Sequence, residues 1–188
     1  EHFTYVWFGD THCFPDSGKL VNLAADKNRD AVFYSIAGDN VSTGLYRDDW
    51  DKLFQYGGRT FANRPLMPVL GNHDRQDGLG AQLYYELFSL PKNGPADMEP
   101  EASYSFEYGD ALFIMIDATS EVDDHTAWME EKLKNTGATW KFVMFHFPPY
   151  NFEEPYLDIQ QNWVPLFDKY HVDMVMGGHI HYYMRSRP

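Results

Sequence analysis

The chain has 188 residues, enough for one domain with a sizeable core. Its 14 Phe, 13 Tyr and 5 Trp argue against disorder. A formal net charge of -13 excludes general affinity for a nucleic acid duplex or an anionic membrane, so a phosphate could be held only where metal ions or other local positive charge is supplied.

"FTYVWF" at 3–8 reads as a first strand, and the chain starts abruptly at its edge. No charged-then-apolar leader opens the sequence, and an N-terminal segment is expected to have been removed. "SGKLVNLAADKNRD" (17–30) reads as a helix capped at Asp16 or Ser17. "AVFYSIA" (31–37) is a second strand, "RDDWDKLFQYG" (47–57) a helix stopped by Gly57, and "LMPVL" (66–70) a third strand. Residues 90–102, rich in Pro, Gly and acid, read as a loop. "SYSFEYGDALFIMID" reads as a hairpin turning at Tyr108–Gly109–Asp110, its second strand at 111–116. A helix over 126–137 ends at Gly137, and a strand follows at 140–145. Residues 158–170 read as helical, with a kink or late start at Pro165, before a last strand at 172–177. Strands alternating with helices predict an α/β core. No run reaches the roughly 18–20 apolar residues that cross a bilayer. The lone Cys13 excludes an intrachain disulfide framework, and alternation points it away from His12 into packing.

Polar residues gather where the strands end. "GDTH" supplies Asp10 and His12, "GDN" Asp39, and "GNHD" Asn72, His73 and Asp74; His146 ends the strand at 140–145, and "GGHIH" supplies His179 and His181. Ligands of α/β sheets bind at that edge. Carboxylates, imidazoles and an amide suit borderline divalent or trivalent ions, not a soft thiolate site. Each motif alone has an ordinary reading as a turn or a structural histidine. Five in order, each ending a strand, are not accounted for by that reading.

The order D-x-H, G-D-x-x, G-N-H-D, a lone His and G-H-x-H resembles the calcineurin-like metallophosphoesterases, from Asp10 to His181. "GGHIHYYMRSRP", through Tyr183 and Arg185, is similar to the purple-acid-phosphatase branch. The resemblance implies a two-sheet β sandwich flanked by helices. It implies a single catalytic domain over 1–188, expected to lack its last strands because the chain stops soon after the last motif. It also implies two metal ions (Fe, Mn or Zn). Asp10, His12, Asp39 and His181 would hold one; Asp39, Asn72, His146 and His179 would hold the other, with Asp39 bridging. His73 would face the substrate, and Asp74 would either orient it or cap a helix.

One departure concerns the first metal. The purple branch has a ligand Tyr three residues after the bridging Asp and no His in the first motif; here Ser42 and His12 stand at those places. The expected activity is hydrolysis of phosphate mono- or diesters by metal-activated water. Alternatives are a nucleotide or cyclic-nucleotide phosphodiesterase of the same fold, or a catalytically weak metal-binding interaction domain. In the first of these, Tyr84, Tyr85, Phe147, Tyr150 or Phe152 could stack a base or simply pack. The expected partner is a phosphoester small molecule, with no nucleic acid duplex and no membrane. The resemblance leans toward a secreted or cell-envelope location.

Overall fold

In the computed structural model, which describes residues 2–76 and 79–186, the described strands form two sheets. The first pairs β1 (Thr4–Phe8) with β2 (Ala31–Ile36) in parallel. The second runs β3 (Tyr104–Tyr108), β4 (Ala111–Met115), β5 (Trp140–Met144) and β6 (Met174–Met176). The β3–β4 pair is the expected hairpin, antiparallel with Tyr108 opposite Ala111; the other pairs are parallel.

Side-chain alternation explains how the layers stack. Tyr5 and Phe33 of the first sheet meet Phe106, Phe113 and Phe142 of the second. Ring centroids are 5.1 Å apart for Tyr5–Phe113 and Phe33–Phe113, and 5.3 Å for Phe33–Phe106. Most of these pairs are edge-on, as the ring quadrupoles prefer. Burying such a ring stabilises the fold by roughly 1.5–3 kcal/mol. The alternate residues Leu112, Ile114 and Ile116 face the other way. They share a second core with Trp128, Met129 and Leu133 of α4 (Val122–Asn135), Ile159 of α5 (Leu157–Asn162) and Phe167 of α6 (Val164–Tyr170). On the far side of the first sheet, α1 (Pro15–Lys27) and α2 (Arg47–Phe61) pack together, and Phe61 meets Tyr34 edge-on. The result is the two-sheet sandwich flanked by helices that the resemblance implied.

Several boundaries differ from expectation. Helix α1 starts at Pro15, earlier than a cap at Asp16 or Ser17 would allow. Phe14 is its extended N-cap without a side-chain cap bond, and proline's fixed φ suits the first helical position. Helix α2 runs through Gly57 to Phe61, because Gly57 is a packing surface rather than a stop: a Cβ there would collide with the Phe61 ring. Helix α4 begins at Val122 and ends at Asn135, before Gly137. The segment 66–70 is not a continuous strand. It pairs with β2 and the residue after it through isolated parallel bridges, Tyr34 to Leu66 and Ala37 to Val69, and Pro68 between them has no N–H to donate. Pro165 does divide two helices, α5 and α6, at Trp163. A short helix, α3 (Gln82–Leu87), was not expected. Of the expected features, Asp77 and Gly78 in the loop after "GNHD", and Arg187 and Pro188 in the terminal motif, lie outside the described residues.

Candidate metal centre

The ligand-type residues stand on loops that leave the C-terminal ends of β1, β2, β5 and β6 and of the bridged segment at 66–69. Their backbones are unusual. Asp10, His12, Asp39, His179 and His181 have φ of 51°, 47°, 50°, 71° and 57°. Left-handed φ at a non-glycine residue costs on the order of 1–3 kcal/mol and persists only where surroundings hold it. Here the loops lace one another: Asp10 N–H donates to Gly38 O, His12 N–H to Asp39 O and Cys13 N–H to Asn40 O. Both Asp10 carboxylate oxygens accept from the His179 N–H, at 2.8 and 2.9 Å. Gly71 answers a need for space, since a Cβ there would overlap Asp39, and its φ is not left-handed.

Two sets of side-chain atoms converge. In one, Nε2 of His12 and of His181 lie 3.2 Å apart, His181 Nε2 is 3.4 Å from Asp10 Oδ1, and His12 Nε2 is 3.8 Å from Asp39 Oδ2. In the other, His146 Nε2 lies 3.2 Å from Asp39 Oδ2, 3.1 Å from Asn72 Oδ1 and 3.2 Å from His179 Nδ1. His146 Nδ1 sits 2.8 Å from the Ala37 carbonyl, which can only accept. In the neutral ring Nδ1 therefore carries the proton and Nε2 turns its lone pair toward the carboxylate and amide oxygens. Lone pairs so close repel unless a proton or a cation sits among them. Donors about 2.0–2.2 Å from one ion lie about 3.0–3.5 Å from each other, the spacing of these contacts apart from His12 to Asp39 at 3.8 Å. The residues present thus fit two metal ions sharing Asp39. A third group, His12, Asp39 and His73, also falls within 4.8 Å.

The electrostatics show the same demand for positive charge. Burial pushes the Asp10 carboxyl up, against the opposing charge of His146 and the N–H of His179. Burial alone would raise Asp39 too, but its bond to His146, that ring's charge and the His73 N–H outweigh it and hold Asp39 low. His146 is the counterpart: burial opposes its protonation, yet the Asp39 bond and charge lift it. Burial pushes His12 and His179 down, toward the neutral form that binds metal.

His73 stands beside this centre. Its Nδ1 is 2.9 Å from the Ser42 carbonyl, its N–H donates to Asp39 Oδ1 at 2.9 Å, and its ring meets His12 edge-on at 4.8 Å. With Nδ1 held by a carbonyl, Nε2 is left for a ligand.

Asp74 does neither thing expected of it. It is fully buried, and its oxygens accept from Gly71 N (2.9 Å), Asn40 N (3.2 Å), Asn40 Nδ2 (2.8 Å) and Val41 N (3.1 Å). Asp74 thus ties two loops of ligand-type residues together rather than orienting His73, and among the described residues no helix begins there. Ser42 spends its hydroxyl on the His12 carbonyl, at 2.8 Å. Cys13 packs in the core, as expected. Among the loop aromatics, Tyr84 is core, bonded to the Pro68 carbonyl, and Phe147 packs edge-on against His179 at 4.7 Å. Tyr150 and Phe152 are exposed.

Sequence reasoning passed over Asn40, Phe14 and Arg75. Asn40 was visible in "GDN" as the partner of a buried acid. Phe14 stacks on His12 at 5.6 Å and had no signal. Arg75 follows "GNHD" directly and bonds Asp117.

Comparison with known proteins agrees with this geometry. A family model described as calcineurin-like phosphoesterase matches residues 3–183. An uncharacterised protein of Mycobacterium tuberculosis is 28% identical over 86% of this chain and 34% of its own length. A purple acid phosphatase of Glycine max is 26% identical over 98% of this chain and 44% of its own. The structure of a purple acid phosphatase from yellow lupin (Lupinus luteus) seeds superposes with a TM-score of 0.76 at 19% identity, over 94% of this chain and 37% of that one. The chain therefore spans about a third to less than half the length of these relatives. With the five motifs in order, the ligand-type side chains gathered at the C-terminal ends of strands from both sheets and the match running nearly end to end, the chain belongs to the calcineurin-like phosphoesterase family.

Proposed function

We propose that residues 1–188 form the catalytic domain of a metal-dependent phosphoesterase that hydrolyses phosphate mono- or diesters with two metal ions. The observation that carries this reading is the surroundings of His146 Nε2, where Asp39, Asn72 and His179 each place a lone-pair atom within 3.1–3.2 Å. Asp10, His12 and His181 would hold one ion, Asn72, His146 and His179 the other, and Asp39 both. Bound there, Fe, Mn or Zn ions would supply a water activated at neutral pH and positive charge for the phosphate.

The remaining chemistry belongs to the protein. Burial of Asp39 and His146, both almost wholly removed from solvent, keeps water from competing at the inner side of the site. His73, its Nδ1–H given to Ser42 O, can present Nε2–H in its protonated form to a phosphate or leaving-group oxygen. General acid catalysis of that kind contributes about 10²–10⁴ in rate. The acidic surface repels anionic substrates elsewhere, so binding concentrates at the centre. No helix among the described residues is long and apolar enough to cross a membrane.

The test is hydrolysis of nitrophenyl phosphate and bis(nitrophenyl) phosphate by the metal-replete chain, by chelated chain and by His73→Ala. Turnover should vanish on chelation and return with metal. His73→Ala should lose about 10²-fold or more while keeping its metal. An alkyl ester, whose leaving group needs protonation, should suffer more from His73→Ala than a nitrophenyl ester. Metal lost from His73→Ala would make His73 a ligand instead.

A further inference from the structure

We infer that Arg75 is a positioning residue for His73, acting through an ion pair to Asp117. This rests on the reading of His73 as the group that faces the substrate. Arg75 lies two residues beyond His73 in the turn 71–76. Its Nη1 donates to Asp117 Oδ2 at 2.6 Å and to Ser120 Oγ at 2.8 Å. Asp117 has no exposed surface and follows β4 at the sheet edge where the ligand loops gather. The other Asp117 oxygen accepts from the Thr119 N–H and hydroxyl, and its own N–H donates to Ser103 Oγ. The carboxylate is therefore fixed before Arg75 reaches it.

The turn that carries His73 is thus held at two points. Asp74 ties it to residues 40 and 41 on the loop after β2, and Arg75 ties it to Asp117 on the segment after β4. His73 precedes both anchors in the turn and is tied to it through its carbonyl, which accepts from the Gly44 and Gln76 N–H groups. Removing the Arg75 anchor would leave the Asp74 anchor intact but free the turn to pivot about it. Asn72 is the one proposed metal ligand this turn carries, and the others stand on separate loops, so metal binding should survive while the His73 imidazole loses its aim. A displacement of about 1 Å in a catalytic group is enough to cost about 10²-fold. Arg75 also has a buried Nε without an acceptor among the described residues. A stability role alone would favour a side chain whose buried donors are all satisfied.

A double-mutant cycle tests the inference. His73→Ala, Arg75→Met and the double variant are assayed on an alkyl and a nitrophenyl phosphate, with metal content and melting temperature measured for each. Arg75→Met should lower kcat about 10–100-fold with two metals retained, and more on the alkyl ester, as for His73→Ala. In the His73→Ala background it should cost less than about 3-fold, because the group it positions is gone. Arg75→Lys, which keeps a cation for Asp117 and Ser120, should recover most of the activity. Multiplying losses in the double variant would overturn the inference, as would loss of metal in Arg75→Met or an unchanged kcat. If Arg75→Met fails to fold, Arg75→Gln, which also removes the cation, carries the same cycle, and a loss that multiplies there is equally decisive against it. A normal His73→Ala would instead sink the reading of His73, and the inference with it.

Discussion

Replacing Asp74 by Ala should destabilise the protein severely while touching no residue that meets the substrate. The substitution removes the acceptor of four N–H groups, from Gly71, Asn40 (backbone and side chain) and Val41, at 2.8–3.2 Å. Hydrogen bonds to a charged group are worth about 1.5–3 kcal/mol each, so the four would sum to roughly 6–12 kcal/mol if nothing replaced them. The true loss is smaller. The vacated space can admit water, and the carboxylate itself carries a burial cost that pushes its pKa up to about 6. Breaking a buried charged network usually costs about 3–5 kcal/mol, and that is the value expected. For a chain of this size it corresponds to a fall of roughly 6–20 °C in melting temperature. Urea unfolding should show a lower midpoint with an unchanged slope.

The pH dependence has a definite sign. The folded pKa of Asp74 lies above the unfolded value, so the native state holds a proton that the unfolded chain releases near pH 3.9. The stability this group contributes is full below about pH 4 and shrinks as pH rises through 6. The gap between wild type and Asp74→Ala should therefore be wider at pH 5 than at pH 8. A variant that loses turnover but stays within about 1 kcal/mol of wild type would refute this and return Asp74 to a catalytic role.

Prolonged chelation should lower the melting temperature by several degrees, because ions that bind only the native state stabilise it by mass action; no shift after verified metal removal would count against the centre. Asp39→Asn should reduce metal content and turnover more than any other single ligand change, since Asp39 alone stands in both sets of contacts; elemental analysis of each ligand variant checks it. Iron-loaded protein should lack an intense tyrosinate-to-iron band: Ser42 occupies the place of the ligand Tyr, and Tyr46 is 65% exposed at the start of α2. A strong visible absorption abolished in Tyr46→Phe would show otherwise.

How much of this was legible in the sequence follows from what each residue reports. Apolar runs that stop on Gly-Asp or Gly-Asn-His mark strand ends, and strand ends place polar side chains together, so the convergence of the ligand-type residues could be read directly. Gly57 could not be read, because a glycine that closes a helix and one that admits the Phe61 ring look alike in sequence. The run 66–70 looked like a strand because periodicity ignores that Pro68 lacks a donor. Asp74 misled through adjacency: side chains next to each other in a turn point apart, and its partners at 40 and 41 come from another strand end. The Arg75–Asp117 pair spans 42 residues, so no local pattern announces it. The left-handed backbone at five ligand-type residues is likewise a product of loops held against each other, not of the residues' own preferences.

The central claim is a centre of two metal ions joined by Asp39. The measurement that meets it most directly is elemental analysis of the purified, metal-reconstituted chain beside Asp39→Asn. The account predicts two ions per wild-type chain and a deficit at both positions in the variant. One ion or none in the wild type, or two firmly held ions in Asp39→Asn, would contradict it.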